Sequence, residues 1–291
     1  MVKLVAKTVA DKAHVFMPAK SDIIFKLFFS DERNRGFLIS FLKSVLKLPL
    51  DEYTDIQISD PHLKREYPGD KLAILDVKIK TKTEKWINIE LQLQIAPEMR
   101  ERIVLYASKM VAAQIDSGDD YNVIKQVISI VITGEILIPE HNEYHDIFTY
   151  YSSKTNAEFT DLTEIHTLEL PKLPKESDGT DLYDWLEFIN ANSEEELAML
   201  AAKSPQMEAP IEKLLEINQD KEARMHFEAR EKQRRDSMAR ERGARQEGER
   251  NKAFDIAKKL LGMKLSIDDI VKATGLSHED VKGLSVLDDI V

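Results

Sequence analysis

Residues 69–94, GDKLAILDVKIKTKTEKWINIELQLQ, constrain the fold of this chain more than any other segment. Two runs of alternating apolar and polar residues flank a short polar stretch, which is the pattern of two strands joined by a turn. Strand side chains alternate between the two faces of a sheet, and a three-residue loop at 82–84 pairs residues whose numbers add up to 166. This register places Asp76 directly opposite Glu90, inside the most hydrophobic part of the hairpin.

Two carboxylates side by side repel each other, and burial increases the repulsion. A divalent cation removes this cost, and Mg²⁺ or Mn²⁺ accepts one or two carboxylates together with phosphate oxygens and water. Such an ion polarises a phosphodiester and activates the attacking water. Asp76 and Glu90 therefore predict a metal site, and Gln92, on the face of Glu90, could orient the water or a phosphate oxygen. The alternative is an ordinary solvent-facing sheet face that carries two acids.

The segments around the hairpin predict an α/β protein. Helical periodicity is found in residues 21–30 and 32–47, and a short strand is predicted at 53–59. After the hairpin, an apolar stripe indicates a helix from Pro97 to residue 116, and β-branched residues predict a strand at 125–133. A strand, a crossover helix and a second strand indicate a mixed sheet with helices packed across it.

The predicted organisation has five parts. They are a leader (1–20), a core (21–150), an extension of the core or small lobe (151–210), a charged helical connector (211–262) and a C-terminal helical hairpin (263–291). In the last part, Ser266 and Ser277 each precede an acid by three residues, and Gly275 separates two helices, which is the spacing of a helix-turn-helix. Because the second helix is rich in acids, a hairpin used for packing or dimer contacts is the alternative.

Composition narrows the class of protein. The 291 residues contain no cysteine, which excludes disulfides and thiolate metal sites and fits a cytoplasmic protein. No run of 18 apolar residues is present, so no membrane span is expected. The net charge of −11 argues against chain-wide attraction to nucleic acid, but residues 221–252 carry eleven Lys or Arg against seven Asp or Glu. This part of the charged connector therefore has a local balance of +4, with a solvated helix or a mobile connector as the alternative interpretation.

The hairpin resembles the PD-(D/E)XK nuclease pattern, an Asp on one strand followed by Glu-x-Lys on the next. More closely, the chain resembles the Rpn family of recombination-promoting nucleases, also described as PD-(D/E)XK nuclease family transposases. The matching segments are DIIFKLFF (22–29), LDVKIK (75–80), INIELQ (87–92), RERIVLYASK (100–109), GDDYNVIKQVISIVI (118–132) and the terminal KATGLSHEDVKGL. The resemblance implies a restriction-endonuclease-like α/β fold, a mixed sheet flanked by helices with a helical C-terminal region.

The resemblance also implies roles for hairpin residues. Asp76 and Glu90 would hold Mg²⁺ or Mn²⁺, and Gln92 stands where the wider superfamily has its Lys. A neutral amide can neither act as a base nor stabilise charge as an ammonium does, so the water-activating role of Gln92 is in doubt. Lys78, on the same face of the hairpin, is predicted to supply the missing positive charge.

Two further candidates lie on helices. Asp22 and Lys26 open the first helix, which packs near the site in this superfamily, and Asp22 is predicted as an additional metal ligand, with an N-cap role as the alternative. Arg102 and Tyr106, four residues apart, share one face of the crossover helix. Arg102 is the candidate contact to nucleic-acid phosphate, whereas Tyr106 is a core residue.

The function expected from the residues and the resemblance together is a metal-dependent DNA endonuclease that hydrolyses phosphodiester bonds, linked to recombination or mobile elements. The alternative is a non-catalytic DNA-binding or protein-interaction module that retains the nuclease fold, which Glu-x-Gln and the acidic charge leave open. A homodimer formed through the C-terminal helices would suit cleavage of both DNA strands.

Overall fold

The structure, a computed structural model, describes residues 15–59 and 76–288, with side chains described as far as residue 284. The chain forms two compact units, Met1–Phe227 and Glu228–Val291. Most of the predicted leader and the beginning of the predicted hairpin, up to residue 75, lie outside the described residues. The five-part division made from the sequence stays a prediction.

The described residues form one mixed sheet of six strands, which confirms the predicted fold class. The strands are β1 Gln57–Ser59, β2 Val77–Lys80, β3 Trp86–Gln92, β4 Val127–Thr133, β5 His145–Tyr151 and β6 Glu158–Glu169. Their order across the sheet is β1-β2-β3-β4-β6-β5. The first three strands are antiparallel, β3, β4 and β6 are parallel, and β5 returns antiparallel to β6.

Helices cover both faces of the sheet. In the first unit they are α1 Asp22–Phe29, α2 Arg35–Val45, α3 Met99–Ala112, α4 Asp181–Asn190, α5 Glu194–Lys203 and α6 Glu208–Gln219. The helices that follow are α7 Lys221–Gly262, α8 Ile267–Thr274 and α9 His278–Asp288. Within residues 15–59 and 76–288, no helix combines the length and apolar character that a membrane crossing requires.

The hairpin register agrees with the prediction. Val77 pairs with Ile89 and Lys80 pairs with Trp86, so paired residue numbers add up to 166. One face of β3 carries Ile87 and Ile89, which are fully buried in the main core. The opposite face carries the polar residues of β3 and packs under α3, the crossover helix between β3 and β4.

The predicted strand at 53–59 is shorter than expected. Residues Leu50–Tyr53 form a 3₁₀ helix after Pro49, and β1 begins only at Gln57. The Tyr53 hydroxyl donates a hydrogen bond to the Leu46 carbonyl at 3.1 Å, which holds this turn against the end of α2. A local side-chain contact therefore overrides the extended pattern of the sequence.

Aromatic packing fixes α1 to the rest of the first unit. Phe25, Phe28 and Phe29 are buried on one side of the helix and contact a cluster that includes Trp185 and Phe188 of α4. Because aromatic side chains bury large apolar areas, these contacts fix the orientation of α1 and therefore the position of its opposite side.

The segment before α1 is held by a residue 201 positions further along the chain. Asn218 of α6 accepts a hydrogen bond from the Met17 backbone N–H at 2.7 Å, and its side-chain amide donates to the Met17 carbonyl at 3.0 Å. Both residues are buried, so these bonds replace the bonds that the Met17 backbone would otherwise make with water.

The parallel pair of β3 and β4 ends at a close approach of two backbones. The Gly134 N–H donates to the Gln92 carbonyl at 3.0 Å. A Cβ atom at position 134 would lie 2.7 Å from the Leu93 carbonyl oxygen and 2.9 Å from its Cα, both closer than real Cβ contacts. Glycine is therefore required here to keep the end of β3 in place.

We expect Gly134→Ala to lower the free energy of unfolding by about 1–3 kcal/mol, because two backbones must separate to accept the methyl group. Gly36→Ala is the matched control, since nothing lies within 4 Å of a Cβ at that position of α2. Urea denaturation of both variants measures the difference. Equal stability of the two variants would show that the approach at Gly134 is not tight.

The second unit contains a small helical core. Ala257, Ile270, Leu276 and Val281 are buried together. The Ser266 side chain accepts from the Asp269 N–H at 3.2 Å and caps α8. Through these contacts, α8 and α9 form a helical hairpin that packs on the end of α7. The helix-turn-helix interpretation stays a prediction.

Candidate metal centre

Asp76 lies immediately before β2, at the sheet edge where β3 ends. Its Oδ2 accepts a hydrogen bond from the Leu91 N–H at 2.9 Å, which fixes the carboxylate beside β3. Its Oδ1 lies 3.0 Å from Nζ of Lys26, on α1. The Asp76 carboxylate is therefore oriented by a backbone donor and neutralised by an ammonium, with lone pairs remaining for another ligand.

Glu90 lies in the middle of β3 and is only 4% exposed. Asn88 donates a hydrogen bond to Glu90 Oε1 at 3.1 Å. The pKa of Glu90 is raised to about 7, chiefly by burial; the negative charge of Asp76 contributes to the rise, whereas the Asn88 bond and the charges of Arg102 and Lys26 oppose it. A buried acid beside a second acid is a costly arrangement that a bound cation would relieve.

The face of the sheet around Glu90 is polar although it is covered by α3. In the described residues, Asn88 Oδ1, Thr133 Oγ1 and Thr167 Oγ1 are buried without a hydrogen-bond partner. The strand registers place all three side chains on the face of Glu90. Such groups are uncommon in cores, and their concentration on one face points to a functional role.

The two remaining hairpin candidates lie on the same face as Glu90. Gln92 is half-buried at the end of β3 and pairs with Thr133 of β4. Lys78 pairs with Asn88 across the hairpin, and its Nζ lies 4.2 Å from the ring centroid of Trp86. The roles assigned to Gln92 and Lys78 stay predictions.

The two helical candidates are Asp22 on α1 and Arg102 on α3, and the charge of Arg102 acts on Glu90. Asp22 opens α1, and its Oδ1 accepts a hydrogen bond from the Ile23 N–H at 2.9 Å. The N-cap position of α1 is occupied by Ser21, so Asp22 is not the cap. Arg102 is exposed on α3, and its guanidinium carbon lies 5.1 Å from the ring centroid of Tyr106. The predicted ligand role of Asp22 and phosphate contact of Arg102 stay predictions.

The donor chemistry suits a hard divalent ion. Within the described residues, no group of three or more His, Asp or Glu side chains could hold a metal ion by itself. His141 and His145, four residues apart, have different partners, Asp146 at 2.8 Å and His166 at 2.8 Å. Two carboxylates, with substrate phosphate and water completing the shell, are a donor set that Mg²⁺ accepts, so Asp76 and Glu90 fit such an ion.

Two contacts at this site could not be predicted from the sequence. The ion pair of Lys26 with Asp76 joins α1 to the start of β2, fifty residues later, and depends on the packing of the whole first unit. Strand alternation places Asn88 on the same face of β3 as Glu90, but only the side-chain positions reveal the hydrogen bond between them. The sequence offered one signal for the position of Lys26, its spacing from Asp22, since residues four apart share one helix face.

The mixed sheet with its crossover helix, and the two acids on β3 and directly before β2, define a restriction-endonuclease-like α/β protein. The family model described as PD-(D/E)XK nuclease family transposase matches residues 19–244, and the chain belongs to this family. The family implies a nuclease or transposase-like role with DNA as substrate, and its members generally use divalent metal ions. Comparisons with curated proteins and with solved structures gave no match.

Proposed function

We propose that this protein is a metal-dependent DNA endonuclease that hydrolyses phosphodiester bonds during recombination or the movement of mobile elements. The observation that carries the proposal is the buried Glu90 beside Asp76 at the end of a sheet of nuclease type. A buried acid beside a second acid destabilises the folded protein, and such destabilising arrangements are concentrated at functional sites.

Asp76 and Glu90 are the residues that would hold Mg²⁺ or Mn²⁺, which supplies Lewis-acid activation of the phosphodiester and of water. The Leu91 N–H keeps the Asp76 carboxylate oriented, and Asn88 does the same for Glu90. Glu90 lies on a strand and Asp76 directly precedes one, and such placement on the scaffold holds a site more precisely than loops do. Gln92, at the end of the same face, would position the attacking water or a phosphate oxygen.

Basic residues outside the hairpin would add contacts to the DNA backbone. Arg102 is exposed on α3 and its charge acts on Glu90. On α7, several arginines are bonded to nearby carboxylates, such as Arg234 to Glu231 at 2.9 Å and Arg245 to Glu249 at 3.1 Å. Because these pairs neutralise part of the helix, we assign more of the DNA contact to Arg102 than to α7. A dimer through the C-terminal helices would place two sites on one duplex.

The second candidate function is a binding module without catalysis. Gln92, a neutral amide, stands where the superfamily has its Lys, and this favours the second candidate. A protein of that kind would bind DNA equally well in Mg²⁺ and in EDTA.

Plasmid nicking by the purified chain tests the proposed function. We expect relaxed and linear DNA with Mg²⁺ or Mn²⁺ and intact supercoiled DNA with EDTA. The double variant Asp76→Ala, Glu90→Ala, purified in parallel, is the control for contaminating nuclease. Cleavage in EDTA, or cleavage that survives the double substitution, contradicts the proposal; absence of cleavage in every metal by a folded protein favours the binding module.

A further inference from the structure

The site has an acidic pair but lacks the lysine that its motif normally provides on β3, because Gln92 occupies that position. Phosphodiester cleavage gathers negative charge on the phosphate oxygens, and a positioned cation beside them stabilises the transition state. A cation from another element would have to supply this stabilisation.

Among the described residues, three cations near the hairpin are directed toward aromatic rings, whereas Lys82 and Lys85 of the hairpin turn bind Asp51 and Gln126. Lys78 and Lys80 lie over Trp86, with Nζ at 4.2 and 5.1 Å from the ring centroid. Arg102 lies over Tyr106. Lys26 is different because its Nζ lies 3.0 Å from Oδ1 of Asp76. Its charge, like that of Arg102, also acts on Glu90.

Lys26 is both anchored and accessible. Its backbone belongs to α1, which Phe25, Phe28 and Phe29 fix in the core. Its side chain is 44% exposed, compared with 16% for Asp76, so the ammonium approaches the carboxylate from the solvent side. A lysine on a fixed backbone with a flexible stem can change partners without moving the helix.

We propose that Lys26 is the substrate-contacting cation of this site: it neutralises Asp76 in the metal-free protein, and it would contact a phosphate oxygen of the DNA when Asp76 holds a divalent ion. The inference rests on the proposed nuclease function. It assigns the positive charge of the motif to α1, and it makes Lys26 a competitor of the metal ion for Asp76.

Replacing Lys26 should therefore have two opposite effects. Lys26→Met removes a competitor, and we expect Mn²⁺ alone to bind about two- to five-fold more tightly, as fits the strength of an exposed ion pair. At saturating metal the same variant should cleave DNA about 100-fold more slowly, as fits the loss of one electrostatic donor. Lys26→Arg keeps the charge and should recover most of the cleavage.

Mn²⁺ titration followed by electron paramagnetic resonance, and cleavage rates of a plasmid, measure the two effects on the full chain. Lys154→Met is the matched control, because it removes the same charge from an exposed loop position. Weaker Mn²⁺ binding by Lys26→Met, or wild-type cleavage at saturating metal, overturns the inference. If the wild-type chain fails to cleave DNA with every metal tested, the proposed function fails. Unchanged Mn²⁺ affinity of Lys26→Met overturns the assignment of Lys26 independently of that result.

Discussion

Asp76→Asn is expected to lower metal-dependent DNA cleavage by about three orders of magnitude, because metal-ion catalysis supplies several kcal/mol of transition-state stabilisation. The substitution removes the negative charge but keeps an oxygen that accepts the Leu91 N–H bond. Loss of cleavage can therefore be separated from loss of structure. Rates at saturating Mg²⁺ and thermal unfolding curves, measured on the same preparation, provide both readouts.

Asp161→Asn is the matched control for Asp76→Asn, since Asp161 is exposed at the opposite end of the sheet. It should retain wild-type cleavage. If Asp76→Asn cleaves at a rate close to that of the wild type, the assignment of Asp76 to the metal site is wrong.

Glu90→Gln is expected to stabilise the metal-free protein at pH 8. The pKa of Glu90 is raised to about 7 from an ordinary value of 4.5. Between these two values the unfolded chain loses its proton while the folded chain keeps it, so stability falls as pH rises. Above pH 7 the full penalty is present, roughly 3 kcal/mol from the size of the pKa shift. A glutamine keeps the acceptor for Asn88 but carries no charge, and avoids the penalty.

Urea denaturation in EDTA at pH 4 and pH 8 measures this effect. The two proteins should be similar at pH 4, where Glu90 is protonated in both states, and should separate at pH 8. Glu101→Gln, an exposed position on α3, should show no such dependence. Addition of Mg²⁺ at pH 8 should stabilise the wild type more than Glu90→Gln, because ligands stabilise the state that binds them. A variant less stable than the wild type at pH 8 would contradict the burial argument.

The sheet was predictable where the pattern is strong and local. The hairpin register followed from the alternation of apolar residues, because a shift by one residue would move Ile87 and Ile89 to the wrong face. The crossover helix and β4 followed from periodicity and β-branched content. The start of β1 did not, because the hydrogen bond of Tyr53 to Leu46 stabilises a 3₁₀ turn that no alternation reveals.

The candidate site was predictable only in part. The placement of Asp76 beside the end of β3 could be expected from the register alone. The burial of Glu90, and hence its raised pKa, depends on α3 covering that face of the sheet. The contact of Lys26 depends on how α1 packs, which is fixed by aromatic residues from two distant segments. Tertiary packing, rather than local propensity, decides such contacts.

The two hydrogen bonds between Met17 and Asn218 have a consequence for biosynthesis. A ribosome makes the chain from its N-terminus, and domains generally fold in the order in which they emerge. Here Met17, in the segment before α1, bonds to Asn218, which is synthesised 201 residues later. Native contacts that are so distant in sequence slow folding, because a long loop must close first. The two hydrogen bonds that hold Met17 can therefore form only after α6 has been made, late in the synthesis of the first unit.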